Sequence, residues 1–168
     1  VTHTSLKTSL AAIDVSEDPV IFSHSNANGV RENPRNLTDE QIIAVADRGG
    51  VVGIAAFADF VGDTTSGVQP DVDKFVDHIA YVADKVGIDH VGIGTDIMEH
   101  DRSGIKGIWW LTNTGRRYPE ICGGMDEHMH NTDGFDSHTE FANVTATLLR
   151  RGFSEEDVKK VIGGNFLR

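Results

Sequence analysis

The sequence predicts an α/β fold with a parallel sheet, either open or part of a barrel. Helical and strand patterns alternate along the chain, which implies parallel pairing through right-handed crossovers. The strand segments are short, continuous apolar runs, the pattern of strands covered on both faces. With 168 residues, 39% apolar content and 18 glycines, the chain fits one globular domain with a usable core.

In order, residues 4–16 place Leu6, Leu10 and Ile13 at helical spacing, with Thr4 or Ser5 as the cap. Residues 19–23 form an apolar run opened by Pro19 that ends in a polar tip carrying His24, followed by a loop reaching Arg35 and Asn36. Thr38-Asp39-Glu40-Gln41 is a capping-box pattern opening a helix through Arg48, with Ile42, Ile43 and Ala46 inward and Gly49-Gly50 as its stop. Residues 51–57 read as a second buried strand and 58–70 as a polar loop. From Asp71 to Val86, Val72, Phe75, Val76, Ile79, Ala83 and Val86 follow a helical stripe that Gly87 ends. Residues 90–96 form a third strand with Asp96 at its tip. Residues 98 to about 137 lack a sustained period, and an irregular stretch of that length reads as a functional loop or lid. Order resumes over 139–151, with Phe141, Val144, Leu148 and Leu149 inward, and a last helix runs from Ser154 through Ile162.

Composition narrows the function. The 26 acidic against 15 basic residues give a net charge of −11, which argues against nucleic acid as a partner. No segment approaches the ~18 continuous apolar residues of a membrane span. One cysteine, Cys122, excludes an internal disulfide framework. No signal peptide is visible at Val1-Thr2-His3, and a processed start would have lost one, so the compartment stays open.

The strand tips hold His3, His24 and Asp96, with Arg35 in the loop after His24. Together they make the kit of a metal hydrolase. Neutral imidazoles bind zinc, a carboxylate takes a proton from activated water, and a guanidinium forks onto a substrate carboxylate. Each residue alone has a plainer reading, because strand-end histidines are mostly structural and an aspartate after a strand usually caps or turns. His78 and His90 read as surface or structural residues. His100, His128, His130 and His138 fall in or beside the irregular stretch, where the His128-Met129-His130 pair carries little weight as a metal site. Trp109-Trp110 reads as an anchor for that stretch.

Read as text, the pattern is specific. Val1-Thr2-His3-Thr4, the segment Val15 to Ala27, Arg35-Asn36-Leu37, Gly92-Ile93-Gly94-Thr95-Asp96, Leu148 to Gly152 and Gly163 to Arg168 together resemble the membrane (renal-type) dipeptidase family. These are the dizinc M19 peptidases of the amidohydrolase superfamily. The resemblance covers the chain outside the irregular stretch and implies a single partial domain over 1–168, the C-terminal portion (about strands five to eight) of a TIM (β/α)8 barrel.

The resemblance further implies roles. His3 and His24 would ligate the second of two Zn2+ ions, and Arg35 would grip the dipeptide's C-terminal carboxylate. Asp96 would accept and return a proton as a metal-bridged hydroxide cleaves the peptide bond. The family's early His-x-Asp pair and its bridging glutamate have no counterpart here, so the N-terminal half of the barrel is expected as a missing partner. The isolated chain is then expected to be inactive and poorly soluble, and a homodimer is expected by analogy. Two other readings stay open: a non-catalytic peptide-binding relative, and another amidohydrolase acting on an N-acyl amino acid or a cyclic amide.

Overall fold

Ser5 accepts a hydrogen bond from the Thr8 amide and starts α1, Leu6–Val15. In this computed structural model, which describes residues 1–97, 116–119 and 131–168, eight further elements follow. They are β1 (Ile21–Phe22), α2 (Asp39–Asp47), β2 (Val51–Ile54), α3 (Ala58–Val61), α4 (Val72–Val86), β3 (Val91–Ile93), α5 (Phe141–Arg150) and α6 (Glu155–Val161). The α/β alternation is as the sequence predicts. The three strands pair in parallel, in the order β1-β2-β3, with Ile21 opposite Val51, and Val52, Gly53 and Ile54 opposite Val91, Gly92 and Ile93.

The strands are shorter than their apolar runs, for a specific reason. Beyond Ile54 the backbone leaves the ladder and bonds elsewhere. Ala55 pairs with the Asn26 side chain, while the Ala56 amide donates to Thr95 O and its carbonyl accepts from the Thr132 amide. The expected strand tail thus becomes a junction between loops. Residues 58–70, read as loop, hold the single turn α3 and a 3₁₀ turn over Thr64–Ser66. Val1 to His3 form no strand, although the Val1 amino group donates to Ile21 O at 2.9 Å and keeps them beside β1.

One core joins the sheet to its helices. Phe22, Val52, Ile54 and Val91 meet Ile42, Val45, Phe75, Ile79, Leu148 and Val161, all buried. α4 lies between α2 and α5, and α5 leans on α6. Three inward assignments are corrected. Leu6, Ile43 and Leu149 are exposed, and Ser9, Val45 and Thr147 are buried in α1, α2 and α5 instead. In α2 the buried stripe is Gln41, Ile42 and Val45, which turns Ile43 outward. Ser9 is inside because its hydroxyl accepts from the Gln41 amide nitrogen at 2.8 Å, a polar link between α1 and α2.

Part of the stretch read as irregular is packed into the fold. Asn131 and Thr132 are buried, Thr132 bonds twice to Ala56 O, and Phe135 packs edge-on against Phe75 and Phe141. Cys122, Trp109-Trp110, His100, His128 and His130 lie outside the described residues.

Candidate active site

The end of the sheet where β1 stops is floored by glycine. A side chain at Gly53 or Gly94 would collide with Ser23 O, so only glycine lets the β1 tip settle onto the ends of β2 and β3. His24, the next residue, is therefore presented above the sheet's edge. Its Nδ1 lies 2.9 Å from the Ser23 hydroxyl, and its amide donates to Thr2 Oγ1 at 3.4 Å.

His3 reaches the same place from the other side. Its φ of 64° is left-handed, a conformation histidine tolerates better than most residues. His3 Nε2 and His24 Nε2 are 2.8 Å apart, and Arg35 Nη2 donates to His3 Nε2 at 3.2 Å. Because a guanidinium can only donate, His3 Nε2 is an acceptor and the bridging proton belongs to His24. Partial burial, then the Arg35 charge and His24, hold the His3 imidazole below the usual histidine pKa, while Asp96 pulls the other way. A neutral imidazole is the form that binds a metal ion.

Arg35 is delivered by a closed loop. The Leu37 amide donates to Asn26 O and the Asn28 amide to Leu37 O, both at 2.8 Å, making a neck at Ala27 and Leu37. Within the loop, Asn28 Oδ1 accepts from the Asn33 amide, and Asn33 Oδ1 accepts from the Arg35 amide at 2.9 Å. Asn33 Nδ2 donates to Asp59 O, and Asn36 Nδ2 to Arg31 O and Phe60 O, fastening the loop to α3. The guanidinium lies 5.1 Å from the centre of the Phe60 ring, a cation–π seat. Beside it a cleft of about 370 Å³ is lined by His3, Asn28, Arg35 and Asn36 among others. Asp59 is buried, takes a hydrogen bond from the Thr64 hydroxyl, and has its carboxyl pushed upward by burial.

Asp96 closes the arrangement at the β3 tip. It too is left-handed, with φ of 53°, and its carboxylate acts electrostatically on His3. His3 and Asp96 are the two non-glycine residues with positive φ among the described residues, and both are site candidates. The structure brings His3, His24 and Arg35 into direct contact and sets Asp96 within electrostatic reach.

The donor set suits a metal ion in part. Two imidazoles on one zinc at about 2.0–2.1 Å place their nitrogens about 3.3 Å apart. The 2.8 Å gap needs only a small opening of the two rings. His24 would turn its Nδ1–H toward the Ser23 hydroxyl, which can donate or accept and so serves either tautomer. Among the described residues no group of three or more ligating side chains occurs, so these two would form part of a ligand set.

Several contributors escaped the sequence reading. His78 is fully buried on α4, in helical register with Phe75 and Val82, a spacing that could have revealed it. Asn26, Asn33 and Asn36, given no role by the sequence, are buried and bond to backbone groups. His138, read as lying in or beside the irregular stretch, reaches the β3 tip, where its Nε2 lies 3.1 Å from Thr95 Oγ1.

Paired imidazoles, a seated guanidinium and a carboxylate thus gather at one end of a parallel α/β sheet, the end where such folds place their ligands. The family model for membrane dipeptidase (peptidase family M19) matches residues 1–108 and 109–168, and the chain belongs to that family. Dipeptidase ataJ of Aspergillus terreus is 33% identical over 166 residues, covering 99% of this chain and 33% of its own length. An amidohydrolase from Pseudomonas aeruginosa superposes with a TM-score of 0.80 at 35% identity, covering 100% of this chain and 50% of its own. A metallo peptidase from Rhodobacter sphaeroides, bound to a phosphinate mimic of the dipeptide L-Ala-D-Ala, shares the fold with a TM-score of 0.70 at 21% identity, covering 98% of this chain and 39% of its own. The chain thus spans about a third of the length of the curated relatives it matches. Among the described residues no helix is long and apolar enough to cross a membrane.

Proposed function

We propose that this chain is the C-terminal portion, about strands five to eight, of a (β/α)8 barrel whose whole protein is a zinc-dependent dipeptidase. The observation that carries the reading is the convergence of His3 Nε2, His24 Nε2 and the Arg35 guanidinium on one point. Two Zn2+ ions, when bound, would polarise the scissile carbonyl and activate water. His3 and His24 would hold one of them through Nε2, and the remaining ligands would come from chain beyond these 168 residues, since the relatives are about three times as long.

Arg35 would leave His3 and fork onto the substrate's C-terminal carboxylate, its planar face still resting on Phe60. The cleft of about 370 Å³ beside it has room for a small peptide. Asp96, exposed and close enough to influence His3, would accept the proton of the attacking water and return it to the leaving amine. Without the rest of the ligand set the 168-residue chain would be inactive by itself.

The test uses the full-length protein, with L-alanyl-L-alanine and its C-terminal amide as substrates. Metal analysis should find two zinc ions per chain. Arg35→Gln should raise KM for the free acid by about 100-fold, as expected for a lost charge-assisted fork, and leave the amide's KM unchanged. Equal losses on both substrates would sink the carboxylate reading.

A further inference from the structure

α4 buries a histidine that the chemistry above does not use. His78 has no exposed surface, and each of its ring nitrogens is engaged. Nδ1 accepts from the Ala27 amide at 3.1 Å, and Nε2 donates to Val61 O at 3.1 Å. The first bond needs a bare nitrogen and the second a protonated one, so the geometry specifies a neutral ring in the Nε2–H tautomer. Desolvation by burial lowers its pKa to about 4, which keeps that form at neutral pH.

The two backbone groups it joins are the two walls of the Arg35 seat. Ala27 is the neck of the loop: its carbonyl accepts from the Val30 and Arg31 amides, and it pairs with Leu37, two residues past Arg35. Val61 ends α3, whose Asp59 and Phe60 carbonyls hold Asn33 and Asn36 and whose Phe60 ring lies against the guanidinium. One imidazole therefore spans the loop that carries Arg35 and the helix that seats it. His24, by contrast, is oriented by Ser23 and Thr2.

We infer that His78 is a positioning residue, which locks the Ala27 neck to Val61 and so fixes the Arg35 guanidinium where a substrate carboxylate is gripped. The inference rests on the reading of Arg35 above. A side chain with one acceptor and one donor can replace the imidazole, whereas an apolar one of similar volume leaves Ala27 N–H and Val61 O without a partner.

The test compares His78→Leu with His78→Gln in the full-length protein, on L-alanyl-L-alanine and its C-terminal amide. His78→Leu should raise KM for the free acid by about 10-fold, the scale of one lost buried hydrogen bond, with kcat, zinc content and the amide's KM unchanged. His78→Gln should recover most of that loss. A loss shared equally by both substrates, or a fall confined to kcat, overturns the inference. If His78→Leu does not fold, the glutamine variant and the wild type decide. In 15N spectra of histidine-labelled wild type, Nδ1 should be unprotonated and Nε2 protonated at neutral pH, and a protonated Nδ1 overturns the lock. Failure of the Arg35 reading is separately visible, because Arg35→Gln would then fail to distinguish acid from amide while the His78 tautomer stayed as stated.

Discussion

The rim of the site and the frame behind it satisfy their polar groups in opposite ways. At the rim, His3, His24 and Arg35 bond to one another through exposed or half-buried side chains. In the frame, Asn26, Asn33 and His78 are buried and bond to backbone amides and carbonyls. Contacts between exposed side chains are weak and exchangeable, while a buried backbone group that loses its partner costs its full desolvation. The rim can therefore trade its mutual contacts for a ligand, and the frame cannot rearrange without loosening the fold. Under the proposed function, chemistry would fall to the rim and stability to the frame behind it.

The comparison can be broken from the rim first, where the largest effect is expected. In the full-length protein, Asp96→Asn should lower kcat on a dipeptide by about 10²–10⁴-fold, the usual range for a lost proton-transfer group. Its urea midpoint should not move, because asparagine also accepts the φ of 53°. An unchanged kcat in steady-state kinetics would remove Asp96 from proton transfer. The floor under the rim is less forgiving of bulk. Gly94→Val would drive a side chain into Ser23 O and should destabilise by about 3 kcal/mol or more, read from urea denaturation.

The frame predicts a pH dependence. His78 is neutral when folded, with a pKa lowered from 6.5 to about 4. Below pH 6.5 the unfolded chain takes up a proton that the folded chain refuses, so stability is fully present above pH 6.5 and drains away as pH falls toward 4. The loss should approach about 3 kcal/mol, and His78→Gln should flatten that part of the curve. A wild-type profile flat between those limits would mean the imidazole is not held neutral. Asn26→Ala, which strips both partners from Ala55, should cost about 2 kcal/mol in the same measurement. The smallest effect belongs to an exposed surface pair. Arg150→Ala, losing the exposed bridge to Asp73, should change stability by about 0.5 kcal/mol or less.

Much of the fold was legible because period and capping are local. The capping box at Thr38 and Gln41 forms as read, and so does the stop of α4 at Gly87. The α4 stripe was read nearly in full: Phe75, Val76 and Ile79 are buried and Val72, Ala83 and Val86 pack against the core, while the buried His78 and Val82 were left out of it. Of the candidate site, His24 and Asp96 were readable just past strand ends, where side chains face the end of the sheet, whereas His3, which lies on no strand, and Arg35, which lies in a loop, were readable only through the family resemblance. Its support was not. Asn26, Asn33 and Asn36 carry the signature of any turn, and only the packing of α3 and of the end of β2 against the loop gives their amides carbonyls to bind.

By itself the sequence determined the α/β alternation and the parallel pairing and named candidates for a hydrolytic site, because these follow from hydrophobic period, chain direction and side-chain chemistry. Only the tertiary structure decided that His3, His24 and Arg35 meet within hydrogen-bonding distance, and that a buried histidine from α4 spans the loop and the helix holding Arg35. The physical reason is range. His78 lies 51 residues from Ala27, a separation that no local pattern encodes and that becomes a 3.1 Å contact only when the helix docks on the sheet.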